Sequence, residues 1–205
     1  FIITLGFNGD VIKKYFSNFE LLNNDVTINF KESEIHYHEQ DDICDWKITL
    51  VDTGINNQKG SRIKQVEKFC ESDINMVTYG DGVADINILS LLEFHKSHGK
   101  TLTISGVHPP ARFGEIVEEN NQVLTFEEKP QTSIGLINGG FMVFENNLLD
   151  YLTDQDNCDL EVGPLQELTK AGETMVFKHS GSWECIDHER DILHLNDLWY
   201  SNNAF

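Results

Sequence analysis

A chain of 205 residues with 40% hydrophobic and 24% charged side chains can bury a hydrophobic core and has the composition of a globular protein. Its 15 basic and 34 acidic side chains give a formal net charge of −19, which disfavours nucleic acids and anionic membranes as partners. No apolar run approaches the ~20 residues of a membrane span. The four cysteines form no C-x-x-C pair, so we expect reduced thiols and a cytoplasmic location.

The first half of the chain alternates between predicted strands and helices. Residues 24–38 alternate like a hairpin, with the turn at 31–33. Gly99 is a stop signal for the helix before it. The further predicted strands are 1–5, 47–54, 74–82 and 101–107, and the predicted helices are 11–19, 59–70 and 85–100. This order is typical of right-handed crossovers in a mainly parallel sheet.

The second half is richer in β structure. The predicted strands are 112–119, 122–130, 136–144, 174–180 and 182–186, and the predicted helices are 146–152, 164–172 and 188–200. We find no internal repeat and no linker that would divide the chain. The sequence therefore predicts one α/β domain over residues 1–205.

An aspartate between two glycines ends the apolar stretch "MVTYGDGVAD". Ligands of open α/β sheets bind beyond the carboxyl ends of strands, so we expect Asp81 to project into that crevice. Gly80 and Gly82 would let a ligand approach the backbone closely. An ordinary Asp-Gly turn is an equally good interpretation of this stretch alone.

A second carboxylate follows another apolar strand in "SWECIDHERD". Asp187 could share the crevice of Asp81, since Mg²⁺ prefers one or two carboxylates completed by phosphate oxygens and water. The alternative, equally open, is that Asp187 caps the helix that begins near His188.

Three other segments contain candidate polar groups. In "FEEKP", the Glu128 carboxylate could accept hydrogen bonds from sugar hydroxyls, and the Lys129 ammonium could bind phosphate. The alternative is that the two residues form a solvated surface pair. In "KGSR", Arg62 follows Gly60, and its guanidinium with free backbone amides could bind phosphate. The histidines and acidic residues of "HYHEQDDICDW" give little support for a structural zinc site, because no matching ligand pair occurs elsewhere in the sequence.

The motifs "TLVDTG", "KGSRIKQV", "TYGDGVADI", "PPARFG", "FEEKP", "LINGGFMVF" and "PLQEL", in this order, resemble the sugar-phosphate nucleotidylyltransferases. The resemblance implies a Rossmann-like mixed sheet, mainly parallel and flanked by helices. It also implies Mg²⁺ held by Asp81 and Asp187, with Asp81, Lys129 and Arg62 as catalytic residues. The substrate-binding residues that it implies are Arg62, Gly80, Gly114, Glu128, Lys129, Asn138, Gly139 and Asp187.

Within this family, the chain is most similar to the branch that forms CDP-glucose and pyrophosphate from CTP and glucose 1-phosphate for polysaccharide biosynthesis. The sugar-phosphate oxygen would attack the α-phosphorus in line. That oxygen is already anionic, so no general base is needed, and positioning and charge neutralisation are the main catalytic terms. A homo-oligomer is expected.

The sequence departs from the family pattern at three places. The chain starts "FIITLGFNGD", without the family's first strand and "GGxGTR" loop, so we expect a truncated domain that lacks residues for reading the base. Val162 in "LEVGPL" replaces a family arginine, and His188 replaces a threonine. Two alternatives stay open: a nucleotide-sugar-dependent glycosyltransferase, and a non-catalytic fragment that binds sugar phosphate.

Overall fold

The computed structural model describes residues 1–38, 45–109, 115–127 and 135–201. The chain packs into two compact units, one of Phe1–Glu71 with Leu149–Pro164 and one of Ser72–Leu148 with Leu165–Phe205. The expectation of one domain over residues 1–205 stays a prediction. No helix in the described ranges is both long and apolar enough to cross a membrane.

The first unit contains a parallel strand pair, a hairpin and three short helices. Its elements are β1 (Ile2–Leu5), α1 (Gly9–Ser17), α2 (Phe19–Asn23), β2 (Asp25–Asn29), β3 (Glu34–His38), β4 (Thr49–Asp52) and α3 (Lys59–Gln65), then a 3₁₀ turn at Glu67–Phe69. β1 pairs in parallel with β4, and β2 pairs with β3 in the predicted hairpin. The Asn29 side chain accepts the N–H groups of Lys31 and Glu32, which fixes the predicted turn.

The second unit is built on a four-stranded mixed sheet. Its elements are β5 (Ile74–Thr78), β6 (Gly82–Ala84), α4 (Ile88–His98), β7 (Leu102–Val107), β8 (Glu115–Glu119), β9 (Gln122–Glu127), β10 (Ile137–Glu145), α5 (Gln166–Lys170), β11 (Thr174–Lys178), β12 (Trp183–Cys185) and α6 (Glu189–Tyr200). A 3₁₀ segment, Asn146–Tyr151, follows β10. The order in the sheet is β11-β7-β10-β5.

The strand directions in this sheet are mixed. β11 runs parallel to β7, whereas β10 runs antiparallel to both of its neighbours, β7 and β5. The parallel share of this sheet is therefore smaller than the sequence suggested, because β10 lies between β7 and β5 and runs in the opposite direction to both.

The core of the second unit lies between α4 and the sheet. Leu91 of α4 packs with Ile86 and with Val143 of β10, and all three are buried. Helical spacing places His95 on the same face as Leu91, where it is 1% exposed. The Asn87 side chain caps the start of α4, and Gly99 ends it at a φ of 65°, as the sequence predicted.

Candidate active site

The short ribbon formed by β6 and β12 organises the second unit's polar site. The two strands are antiparallel, and Cys185 pairs with Gly82. The N–H of Ile186 donates to the carbonyl of Asp81 at 2.8 Å. The residue that precedes β6 and the residues that follow β12 therefore lie side by side, although they are about one hundred positions apart in the chain.

This pairing brings Asp81 and Asp187 together with Cys185. One ligand atom from each side chain lies within 4.8 Å of the other two. Both aspartates are exposed, and the cysteine is partly buried. Two carboxylates that leave room for phosphate oxygens and water match the preference of Mg²⁺, so the donor set fits a hard divalent cation.

The thiol of Cys185 lies against these carboxylates, with Sγ 3.6 Å from Asp187 Oδ1. Burial raises the pKa of the Cys185 thiol, and the charges of Asp81 and Asp187 raise it further. The thiol is therefore a neutral neighbour of the two carboxylates at neutral pH.

The capping alternative for Asp187 does not match the start of α6. His188 holds the N-cap position. The Asp191 carboxylate accepts the backbone N–H groups of Asp187 and His188 at 3.0 and 2.8 Å. Donation by the His188 N–H lowers the pKa of Asp191. The carboxylate that caps this helix belongs to Asp191, so the N-cap of α6 does not require the Asp187 side chain.

Among the described residues, no heavy atom lies within 4 Å of a Cβ built on Gly80. The described part of the fold therefore does not require a glycine at this position for packing. That a ligand uses the space beside Asp81, which is the reason the sequence suggested for this glycine, stays a prediction.

Asn138 and Gly139 lie in a bulge of β10. From Asn138 to Met142 the strand advances four residues, while its partner β7 advances two, from Gly106 to Ile104. A Cβ on Gly139 would lie 2.7 Å from Val107 Cγ1, so close packing accounts for this glycine. The exposed Asn138 accepts the N–H of Gly140 at 2.9 Å, and Gly140 has a φ of 82°.

Arg62 lies in the first unit, on α3, where its guanidinium binds backbone groups at the ends of strands. Nη1 donates to the Leu5 carbonyl at 3.0 Å and to Thr53 Oγ1 at 2.8 Å. Nε donates to the Asn57 carbonyl at 2.9 Å. These contacts fix the ends of β1 and β4, a role that the sequence did not suggest.

The start of α3 differs from the free-amide site expected around Gly60. The N–H of Ser61 donates to the Cys158 carbonyl at 3.0 Å. A Cβ on Gly60 would lie 2.9 Å from that same carbonyl. Close packing on the 158–159 backbone explains this glycine, so the expectation of a free amide is wrong at Ser61.

Three of the predicted site residues, Gly114, Glu128 and Lys129, lie outside the described residues. The same holds for Asp41, Asp42 and Cys44, which the sequence offered as poor candidates for zinc ligands. His36 and His38 are described, and His38 Nε2 lies 2.8 Å from Thr27 Oγ1 within the hairpin.

Sequence reasoning missed two residues of the site, Cys185 and Trp183. Residues two apart on an extended segment point to the same side, so the spacing of Cys185 and Asp187 in "CID" is a signal that could have found the cysteine. The indole Nε1 of Trp183 donates to the Gly139 carbonyl at 2.8 Å. No local pattern could predict that contact, because it spans 44 residues.

Comparisons with known proteins agree with this fold. The nucleotidyl transferase family matches residues 26–203. Glucose-1-phosphate cytidylyltransferase of Salmonella typhi is 41% identical over 205 residues, which cover 100% of this chain and 79% of that protein. A probable glucose-1-phosphate cytidylyltransferase of Bacillus subtilis is 36% identical over 199 residues, covering 97% of this chain and 77% of that protein.

The fold is also found among solved structures. HddC from Yersinia pseudotuberculosis, in a structure complexed with GMP-PN, superposes with a TM-score of 0.63 at 19% identity, covering 97% of this chain and 77% of that one. This similarity confirms the α/β fold of mixed sheets flanked by helices. The family match spans most of the sequence, and the two relatives match nearly all of it. The chain belongs to the nucleotidyl transferase family.

Proposed function

We propose that the protein transfers a cytidylyl group from CTP to glucose 1-phosphate, forming CDP-glucose and pyrophosphate. Two relatives, 41% and 36% identical over 100% and 97% of this chain, have names that state this activity. The observation that carries the proposal is the convergence of Asp81 and Asp187, which come from distant parts of the sequence.

Mg²⁺ is the cation that we propose for the two aspartates. Exposed carboxylate oxygens with room for water and phosphate suit this ion better than a cage built only from protein groups. When bound, the cation would neutralise charge on phosphate oxygens. A chain with a formal net charge of −19 needs such local positive charge to hold two anionic substrates.

The proposed reaction is an in-line displacement. An oxygen of the sugar phosphate forms a bond to the α-phosphorus of CTP, and the bond from that phosphorus to the pyrophosphate oxygen breaks. The nucleophile is already an anion, so no side chain has to remove a proton. The protein's task is to bind and align the two substrates.

The remaining site residues have proposed roles in substrate binding. Lys129 and Arg62 would bind phosphate groups, and Glu128 would accept hydroxyl groups of the sugar. Gly80 would leave room for the nucleotide, while Gly114, Asn138 and Gly139 would line the sugar pocket. Arg62 also holds strand ends in the structure, so its substitution would affect stability as well as binding.

Measurement of CDP-glucose and pyrophosphate formation by the purified protein tests this function. We expect turnover with CTP, glucose 1-phosphate and Mg²⁺, and slower turnover with UTP or dTTP. Asp81→Asn and Asp187→Asn should each lower kcat/KM roughly 100-fold or more, because each removes a carboxylate from the cation site. Asp197→Asn, on the exposed part of α6, is the matched control and should keep full activity.

Full turnover by Asp81→Asn would contradict the assignment of the cation site. Transfer of glucose from CDP-glucose to an acceptor, without pyrophosphate formation from CTP, would favour the glycosyltransferase alternative. A cytoplasmic location and homo-oligomeric assembly stay predictions from the sequence.

A further inference from the structure

The indole of Trp183 joins two parts of the second unit that have different proposed tasks. Trp183 begins β12 and is partly buried. Its Nε1–H donates to the carbonyl of Gly139 at 2.8 Å. Gly139 belongs to the bulge where the sugar would bind, whereas β12 leads to Asp187 at the cation site.

The Gly139 carbonyl lies where regular pairing between β10 and β7 is interrupted. The register shifts between Asn138 and Met142, so the residues between them lack the ordinary ladder to β7. Gly139 itself is buried. A buried carbonyl requires a hydrogen-bond donor, and the indole N–H of Trp183 supplies one.

Other contacts of the bulge involve its neighbouring residues, Phe141 and Gly140. The N–H of Phe141 donates to Ser105 Oγ at 3.2 Å, and the N–H of Tyr79 donates to the Gly140 carbonyl at 3.2 Å. The built Cβ of Gly82, the residue after Asp81, lies 3.6 Å from the Gly139 carbonyl oxygen. The bulge and the cation site are therefore direct neighbours through this one carbonyl.

The ribbon has a second attachment that does not involve Trp183. His179, just after β11, lies with Nε2 2.9 Å from Asp85 Oδ1, just after β6. The Asp85 N–H also donates to the Ser182 carbonyl at 3.3 Å. Loss of the indole N–H should therefore loosen the bulge against the ribbon without detaching the ribbon from the sheet.

We propose that Trp183 is a positioning residue that holds the Gly139 bulge against the β6–β12 ribbon, so that the sugar phosphate is presented at a fixed distance from the cation site. This role rests on the proposed function. It concerns glucose 1-phosphate rather than CTP, because the contact is made to a residue of the proposed sugar pocket.

Trp183→Phe tests this role, since phenylalanine keeps an aromatic ring but has no N–H. The KM for glucose 1-phosphate should rise roughly fivefold, the effect of one hydrogen bond, while the KM for CTP and the Mg²⁺ dependence stay unchanged. Trp199→Phe, at an exposed position of α6, is the matched control and should change none of these values. Urea unfolding of both variants shows whether general destabilisation accompanies the change.

A second readout does not depend on turnover or on the stability of the Phe variant. The chain has three tryptophans, so Trp46→Phe with Trp199→Phe leaves Trp183 as the one emitter. Its emission should shift when glucose 1-phosphate is added and should not shift with glucose alone. An unchanged emission would overturn the proposed role.

The kinetic outcomes separate this inference from the function on which it rests. An unchanged KM for glucose 1-phosphate in active Trp183→Phe, or an equal rise in both KM values, would overturn the positioning role. If the wild-type protein forms no CDP-glucose while Trp183 emission still responds to glucose 1-phosphate, the proposed function fails and the positioning role is supported.

Discussion

At the residue scale, Gly80 and Gly139 are both glycines of the proposed site but lie in opposite surroundings. In the part of the chain that the structure describes, Gly80 has no heavy atom within 4 Å of a built Cβ. A Cβ on Gly139 would lie 2.7 Å from Val107 Cγ1 and 2.8 Å from Ser105 Oγ. We infer that the first glycine leaves room for a ligand, whereas the second is required by packing.

We therefore predict that Gly80→Ala separates binding from stability. Its free energy of unfolding should stay within about 0.5 kcal/mol of wild type, because the methyl group meets no protein atom. The KM for CTP should rise, because the methyl group would occupy space near the nucleotide. Urea unfolding and steady-state kinetics measure these two quantities.

Gly139→Ala is the matched comparison. It should lower the free energy of unfolding by about 1–3 kcal/mol, since the new methyl group overlaps β7. An alanine at position 80 that destabilises the fold as much as the alanine at 139 would show that Gly80 is also a packing residue, contrary to our interpretation.

The site residues divide by whether a local pattern could reveal them. Asp81 and Asp187 each follow an apolar strand, a local signal that left a turn and a helix cap open as alternatives, and the family resemblance favoured their convergence. Arg62 was expected to contact substrate, and its hydrogen bond to the Leu5 carbonyl could not be predicted, because it depends on how segments 57 residues apart pack. Sequence patterns therefore predict where elements end better than they predict tertiary hydrogen bonds.

At the element scale, α4 contacts β7 through two histidines, the buried His95 and the partly buried His98, which share Thr103 of β7 as a hydrogen-bond partner. The Lys100 N–H donates to His98 Nδ1 at 3.0 Å, so neutral His98 has its proton on Nε2, which lies 2.7 Å from Thr103 Oγ1. The Thr103 hydroxyl can then donate to His95 Nδ1 at 2.8 Å. His95 Nε2 faces Glu145 Oε1 at 3.4 Å. Each histidine is neutral in this arrangement.

We predict that the fold loses stability as the pH falls below the pKa of an ordinary histidine. Burial lowers the pKa of both His95 and His98, with further lowering of His95 by His98 and of His98 by Lys100. The unfolded chain then binds more protons than the folded one, so the free energy of unfolding falls as the pH drops through about 6.5 towards the lowered values. Urea unfolding between about pH 7.5 and about pH 5.5 measures this change.

Removal of a buried ring should reduce this pH dependence. His95→Gln cannot titrate, so its free energy of unfolding, although lower at neutral pH, should fall less on acidification. In His194→Gln, at an exposed position of α6, the free energy of unfolding should change with pH as it does in the wild type. Equal slopes in His95→Gln and wild type would show that other groups cause the acid sensitivity.

The longer elements were predictable, and the shortest functional one was not. Helix α4 and strands β5, β7 and β10 follow apolar periodicity and their capping residues. Strand β6, Gly82–Ala84, was missed because it directly follows Gly80 and Asp81, where glycine and aspartate are typical of a turn. Its pairing with β12, about one hundred residues later, stabilises it, and this long-range pairing brings Asp81 and Asp187 together.

At the scale of the whole molecule, the formal net charge of −19 opposes the approach of anionic substrates. We predict that the KM values for CTP and glucose 1-phosphate fall as KCl rises from about 10 to about 150 mM at constant free Mg²⁺, because salt screens this repulsion. Steady-state kinetics over that range measure the effect.

A rise of the KM values with salt would show that the overall negative charge does not dominate substrate binding. If both KM values rise with salt, attraction by local positive groups such as Arg62 outweighs the overall negative charge. Replacement of KCl by potassium acetate at equal ionic strength controls for specific effects of chloride, and it should leave the values unchanged.

The central claim is that Asp81 and Asp187 jointly hold a divalent cation. Anomalous diffraction from crystals soaked in Mn²⁺ tests it most directly, since Mn²⁺ takes the same oxygen ligands as Mg²⁺ and can be located without any assay of turnover. We predict an anomalous peak within coordination distance of both carboxylates, lost in Asp81→Asn. A peak bound elsewhere, with none between these two side chains, would contradict the claim.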